Sequence, residues 1–340
     1  MAEEANNAQE AQRSAAALPQ GLRQDWPVPW QPVWGERDGV LPLLEHLAAR
    51  GFVSGLSYLP DAPRELLLGG VARLLRAVDK RHREAARRFL RQAFAGGEAF
   101  EGEDARVLQA YRHLLRIVVE GAKADRLKVE PALTERYELD VCDDFWRARD
   151  AGRGSILVTG HLGDWEASSA LLPWLGFDPL YVFARAPKNK PMSKAVQAAR
   201  ERRGIRVLPR RGGMKDARAV IAAGGCLGLL LDQRARSKPV LAPFFGRPAR
   251  CDRSAGVLVK RLGAPVLVGA CVRLAPLRWK TVCHTVLWPE DLSGSSPREV
   301  ATRINQELER LILEWPDQYF WLHDRYRDTP LEMPPEGAEG

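Results

Sequence analysis

Two hydrophobic rhythms divide this chain. Over residues 62–128, apolar positions recur every three or four residues with basic residues between them, in "PRELLLGGVARLLRAV", "HREAARRFLRQAF" and "EDARVLQAYRHLLRIVVEGAK". That spacing predicts amphipathic helices. After Asp143 the apolar runs shorten, and strands are predicted at 155–159, 180–184, 205–208, 226–231, 266–272 and 281–287. Helices are predicted between and after them, at 165–175, 193–203, 214–223, 254–262 and 297–314. In the last of these Ser296 can cap and Pro297 takes the first helical position. Short buried strands alternating with helices imply an α/β fold: a mostly parallel central sheet flanked by helices, preceded by an N-terminal helical segment.

The domain reading follows from the same pattern. Residues 1–25 form a polar tail, 26–140 an N-terminal arm and helical region, 141–330 the α/β domain and 331–340 a second tail, with 41–330 readable as one continuous domain. The arm opens with "DWPVPWQPVWGE", whose prolines prevent a long helix and whose tryptophans suit a strap over the core or a lipid interface. A short amphipathic piece follows at about 41–49.

Composition narrows the picture. With 340 residues, 45% of them hydrophobic and 28% charged, the chain reads as globular rather than disordered. The 51 Lys and Arg exceed the 43 Asp and Glu, and a net charge of +8 favours anionic partners. No basic start with an apolar stretch marks a signal peptide, and no apolar run reaches spanning length. Cys142, Cys226, Cys251, Cys271 and Cys283 form no CxxC pair and read as buried thiols, so no metal site is expected.

The chemistry-bearing stretch is "SILVTGHLGDWEASSALL". It places His161 just beyond an apolar strand and Glu166 at the start of the next helix. In parallel sheets, ligands bind beyond the carboxyl ends of strands. A carboxylate folded back on one ring nitrogen would fix the tautomer and leave the other nitrogen to take a proton. Asp164 is the alternative acid, and either acid could instead only complement the helix N-terminus. His82 and His113, within the helical region, read as surface or packing residues. The absence of a G-x-S-x-G turn argues against an α/β-hydrolase.

Two further clusters accompany this one. "FARAPKNKPMSKAVQAARERRGIRVLPRRGGMKDAR" is strongly basic, and its Arg185 ends a predicted strand where it could reach the His161 pocket and hold a phosphate or an oxyanion. No base-stacking or groove-reading motif accompanies it, so nucleic acid is not expected. "LGLLLDQRARSKPVLAPFFGRPAR" closes an apolar strand with Asp232-Gln233 and then sets Phe244, Phe245 and Gly246 in a loop, against either a pocket or the core.

In order and spacing over about 155–327, "GHLGDWE", "RAPKN", "LLLDQ…APFFGRPA" and "FWLHDRYR" resemble the motifs of the bacterial lipid A biosynthesis lauroyl/myristoyl acyltransferase family, within the lysophospholipid acyltransferase superfamily. The resemblance implies transfer of a fatty acyl chain from an acyl carrier protein or CoA thioester to a hydroxyl of a glycolipid or lysolipid, with no cofactor beyond that co-substrate. By resemblance, His161 deprotonates the hydroxyl and Glu166 orients it. Arg185, helped by Asn189, binds a phosphorylated acceptor or the oxyanion, and Asp232, Gln233 and Arg211 complete the substrate-binding set. Phe244, Phe245, Gly246, Trp321, His323 and Arg325 match motif positions of pocket-forming or structural kind.

Members usually start with a spanning helix, whereas "LEHLAARGFVSGLSYLPDAPRELLLGG" is interrupted by charges and proline. Peripheral attachment at the cytoplasmic face of the inner membrane is expected instead. The acceptor stays open among lipid A precursors, lysophospholipids, ornithine-type lipids and other glycolipids. A non-catalytic protein binding anionic lipid or nucleic acid on this scaffold, and a lipid or thioester hydrolase, are the alternatives.

Overall fold

A computed structural model of the protein describes residues 27–28, 34–94, 96, 99–124, 134–209, 212–236 and 239–333. The tail at 1–25, Trp26, Trp30 and Arg211 lie outside these residues. Among the described residues the N-terminal part holds four helices, α1 (Val40–Tyr58), α2 (Asp61–Val78), α3 (Lys80–Phe94) and α4 (Glu103–Ala124). The amphipathic piece expected at 41–49 is thus the start of a helix of 19 residues. Its glycines lie on an exposed face and leave the buried side, Pro42, Leu56 and Ser57, uninterrupted.

Among the described residues nine strands follow: β1 (Tyr137–Val141), β2 (Ser155–Thr159), β3 (Leu180–Phe183), β4 (Ile205–Leu208), β5 (Cys226–Leu230), β6 (Val240–Phe244), β7 (Arg247–Cys251), β8 (Val266–Ala275) and β9 (Arg278–Leu287). The helices among them are α5 (Asp143–Asp150), α6 (Trp165–Leu171), α7 (Lys190–Arg202), α8 (Met214–Ala222), α9 (Ser254–Leu262) and α10 (Pro297–Glu314). Seven strands form one sheet in the order β1-β9-β8-β2-β5-β3-β4, parallel throughout except at the β8–β9 pair. This is the mixed α/β architecture expected from the strand–helix alternation. β1 and α5 escaped the pattern because β1 is only half-buried and alternates Glu138 and Asp140 with apolar residues.

The Phe244–Phe245–Gly246 stretch is a two-residue hairpin between β6 and β7, with φ of 48° at Phe245 and 71° at Gly246. Positive φ at both central positions is the twist that a tight hairpin requires. The strained Phe245 is held at both ends, its N–H donating to Glu309 at 2.8 Å and its carbonyl accepting from Gln92 at 2.9 Å. Both phenylalanines pack on Phe89 of α3, with Trp321 and Tyr326 around the same ring. They belong to the core rather than to a pocket.

The two faces of the sheet are built differently. On one, Ile156, Val158, Leu227, Leu229, Val266 and Val268 merge with α8, α9, α10 and with Phe89 and Val107 of the N-terminal helices into one buried cluster. On the other, Leu157, Leu180 and Leu267 pack with Phe145 of α5 and Leu171 of α6 in a smaller one. Cys226, Cys251, Cys271 and Cys283 are buried, Cys142 partly so, and all five are free thiols.

Candidate active site

The strand register explains why two distant motifs meet. β2 and β5 are neighbours, with Thr159 opposite Leu230. Two residues beyond each partner stand His161 and Asp232. The His161 Nδ1 lies 2.8 Å from Asp232 Oδ1, and the His161 backbone N–H donates to Asp232 Oδ2 at 2.9 Å. Gly160 permits this approach, because a Cβ there would sit 3.2 Å from Asp232 Cβ. The Tyr319 hydroxyl also donates to Asp232, which is 1% exposed.

Electrostatics follow from the pairing. Burial works to raise the Asp232 carboxyl, but the His161 charge and the hydrogen bonds it accepts bring it down to about 2. Burial also works against the imidazolium, yet Asp232 outweighs it and raises His161 above its ordinary value. With Nδ1–H given to Asp232, Nε2 is the nitrogen left to accept a proton. The Gln233 amide nitrogen stands 3.3 Å from it.

The loop carrying His161 is clamped by the C-terminal motif. Phe320 N–H donates to the His161 carbonyl at 3.0 Å, and Gly163 N–H donates to Gln318 carbonyl at 2.9 Å. Gly163 itself has φ of 62° and lies so close to β8 that a Cβ would meet the Cys271 carbonyl at 2.0 Å. His113 closes the third side, its Nε2 lying 2.9 Å from the Gly163 carbonyl. Burial lowers this imidazole to about 4, so it is neutral and donates. His113 is therefore a packing residue with a specific task, to steady the turn behind His161.

Spacing led us to expect Glu166 on the His161 ring, and the structure corrects this. Nδ1 faces β5, where Asp232 takes it, while Glu166 turns towards α7 and binds Arg200, with Arg203 Nη1 at 3.8 Å. These two arginines hold the Glu166 carboxyl below its ordinary value despite burial. Asp164 is a cap, accepting from Ala167 N–H at 2.9 Å and from Trp279 Nε1 at 3.1 Å, with burial pushing it up to about 6.

The other expected residues divide clearly. Arg185 is exposed on the rim of the same cavity as His161, and Gln233 lines it. Asp232 does not touch the cavity, its oxygens being taken by His161 and Tyr319, so the expectation that it binds substrate is replaced by a role behind the ring. Asn189 is likewise committed elsewhere. It caps α7 by accepting from Met192 N–H at 3.0 Å, and it donates to Pro42 carbonyl at 2.8 Å and to Glu45 at 3.1 Å, tying α1 to α7. His323 accepts from Arg234 N–H at 2.9 Å and so fixes the loop after Gln233. Arg325 is 1% exposed and donates to Arg250 carbonyl at 3.0 Å, its guanidinium 4.9 Å from the Phe244 ring.

From His161 a cavity of about 1550 Å³ runs inward along the α5–α6 face of the sheet. That exceeds the roughly 300–1,000 Å³ of ordinary small-molecule sites. Its walls are of two kinds. Arg185, Arg200, Arg234 and Arg327 stand with His161 in the lining, and Phe145, Leu157, Leu180, Val182 and Leu230 supply hydrocarbon. Gly228 lies among the latter, with the Val182 side chain of the neighbouring strand close against it. A histidine base backed by a buried acid, cations nearby and a long apolar slot together suit acyl transfer between an amphipathic donor and acceptor.

Residues 45–328 match the model of the bacterial lipid A biosynthesis acyltransferase family, and the chain belongs to it. The protein is thus an acyltransferase. It is 23% identical over 265 residues to the lipid A biosynthesis palmitoleoyltransferase of Escherichia coli K12, covering 77% of this chain and 84% of that protein. The lipid A biosynthesis acyltransferase of Shigella flexneri matches to the same extent. The phosphatidylinositol mannoside acyltransferase of Mycolicibacterium smegmatis is 27% identical over 145 residues, 41% of this chain and 47% of that protein. Among the described residues, no helix is long and apolar enough to cross a membrane.

Proposed function

We propose that this protein moves a fatty acyl chain from an acyl carrier protein or CoA thioester to a hydroxyl of a glycolipid or lysolipid, of lipid A type, while attached peripherally to the cytoplasmic face of the inner membrane. The observation that carries the reading is the His161–Asp232 pair at the head of a long apolar slot. His161 Nε2 takes the acceptor hydroxyl proton as the oxygen attacks the thioester carbonyl. Asp232 holds the ring and balances the imidazolium that forms. The tetrahedral intermediate collapses with cleavage of the carbon–sulfur bond. The departing thiolate recovers the proton from His161, leaving ester and free thiol.

The remaining residues find roles around this step. The Gln233 amide caps Nε2 until a hydroxyl displaces it, and is then free to donate to the developing oxyanion. Arg185 meets anionic groups of the acceptor or the donor's phosphate. Glu166 holds Arg200 on the cavity wall instead of serving the ring. The slot takes the acyl tail. The large excess of basic residues around α7 suits an acidic carrier protein as donor.

The test is transfer assayed with purified protein, acyl carrier protein or CoA thioesters and a lipid extract as acceptor, with the product read by mass spectrometry. An acylated lipid that requires His161 supports the proposal. Free fatty acid released at an unchanged rate without lipid would replace it with hydrolysis. No dependence of either on His161 would end it.

A further inference from the structure

Three stretches outside the proposed chemistry share a pattern. Each sets an arginine beside an aromatic residue: Arg88-Phe89 in α3, Phe245-Gly246-Arg247 at the β6–β7 hairpin, and Arg325-Tyr326-Arg327 in the C-terminal segment. The aromatic side chains converge. From the Phe89 ring centre, that of Phe245 lies at 6.1 Å and that of Tyr326 at 5.5 Å. Packing of the rings thereby gathers the arginines, and Arg88, Arg247, Arg325 and Arg327 line one pocket of about 210 Å³.

Charge in this pocket is not balanced. Among the described lining residues Asp324 is the one carboxylate, and it lies 3.4 Å from Arg88. Asp328 is shared by Arg234 and Arg327, and Glu309 feels the Arg325 charge but spends an oxygen on the Phe245 N–H. Arg247 and Arg325 are ion-paired with no carboxylate among the described residues, and each keeps a buried Nε with no acceptor there. Both are held in place all the same. Arg325 is anchored through its Nη atoms on the Arg250 carbonyl and the Cys251 thiol, and the Arg247 guanidinium stacks 4.8 Å from the Tyr326 ring centre. A buried cation without a counter-charge is costly, and fixed guanidinium forks suit the oxygens of a phosphate.

Size and place decide the rest. The volume is below the roughly 300–1,000 Å³ of ordinary small-molecule sites, so the pocket admits a phosphate group and water but no acyl chain. Ala85, Asp324 and Arg327 line both this pocket and the cavity that leads to His161. We infer that the pocket is a second anion subsite, apart from Arg185, which holds a phosphate monoester of a substrate whose reacting end lies at His161. The substrate as source rests on the acyltransferase reading above; the affinity of the pocket for phosphate does not.

The experiment is calorimetric titration of the full chain with inorganic phosphate at constant ionic strength, which needs no turnover. R88Q/R327Q alters exposed positions, R247K keeps the charge but loses the fork, and R202Q/R218Q removes two exposed charges outside the pocket; circular dichroism checks that all three fold. R88Q/R327Q is expected to weaken phosphate binding about 10- to 100-fold and R247K about tenfold, with R202Q/R218Q binding as the wild type does. No phosphate binding by the wild type, or equal weakening in R202Q/R218Q, overturns the inference. In transfer assays R247K is expected to raise KM about tenfold while moving kcat much less. A rise confined to a phosphorylated lipid, and abolished by phosphatase treatment of that lipid, names the acceptor as the source; a rise confined to a CoA donor names the donor; either supports the inference. No KM change with either, phosphate binding being intact, gives the pocket to free phosphate and overturns the substrate role. Phosphate binding as expected with acyl transfer absent in the wild type would leave the pocket standing and remove the proposed reaction.

Discussion

The two faces of the central sheet use the same strands to opposite ends. Ile156 and Leu227 point to one side and are closed over by three helices; Leu157 and Gly228, their immediate neighbours in sequence, point to the other and line the slot with Thr159 and Leu230. Burying a Leu or Ile side chain fully contributes about 1.5–3 kcal/mol. The hollow face forgoes part of that in exchange for room. Stability is thereby concentrated on one side and chemistry on the other, and substitutions on the two sides should fail in different ways.

The largest expected difference is in activity. H161A and D232N should each lower acyl transfer about 10²–10⁴-fold, and E166Q, which leaves the ring pair intact, should cost clearly less. Rates from a donor thioester series would show the ranking, and equal losses for E166Q and D232N would contradict the geometry. On the filled side, F89A removes a ring that lies 5.0 Å from Trp321 and 5.5 Å from Tyr326. It is expected to cost about 3–5 kcal/mol in urea unfolding.

A subtler change separates the faces again. Gly228 lies two positions below the strand end at Leu230, about 7 Å deeper, and a Cβ there would sit 2.9 Å from Val182 Cγ1. G228V should partly block the slot, shifting donor preference to shorter chains in a competition assay while the short-chain rate is kept.

Two pH effects are smaller. Transfer should fall as pH drops through the raised His161 value, because the imidazolium cannot accept a proton. D232N removes the charge that raises it, and should move that limb to lower pH in kcat/KM profiles. His113 has the opposite sign. Its folded value, about 4, lies below the ordinary 6.5, so the unfolded chain binds the proton first as pH falls. The stability it contributes is complete above about 6.5 and lost between there and 4, by about 2 kcal/mol at pH 5. Denaturation of H113Q should show a flatter dependence over that window.

Much of this architecture was legible because local patterns carry it. The strand at Ser155–Thr159 and the helix at Pro297–Glu314 were read to the residue, the latter from a Ser296 cap that the structure shows as a capping box with Glu299. The candidate base was legible too, as a histidine at the end of a buried strand. Its partner was not. Glu166 is near in sequence, but the helix it starts directs it to Arg200, whereas Asp232 is 71 residues away and arrives only because β2 and β5 are neighbours. Asn189 was misread for a similar reason: nothing in "RAPKN" shows that α1 packs over it. Strand order is a global property, and no local spacing contains it.

The clamp on the His161 carbonyl has a consequence for how the site is assembled. Gln318, Tyr319 and Phe320 follow the last strand and the last long helix of the fold in sequence, yet they hold the loop and the acid of the proposed reaction. A chain that has formed its sheet but not docked this segment lacks the contacts that hold the His161 loop, so the site is completed only when Gln318 and Phe320 are in place. Chains stopped ahead of Gln318 are expected to lose turnover, and normal turnover by such a fragment would show the clamp to be dispensable.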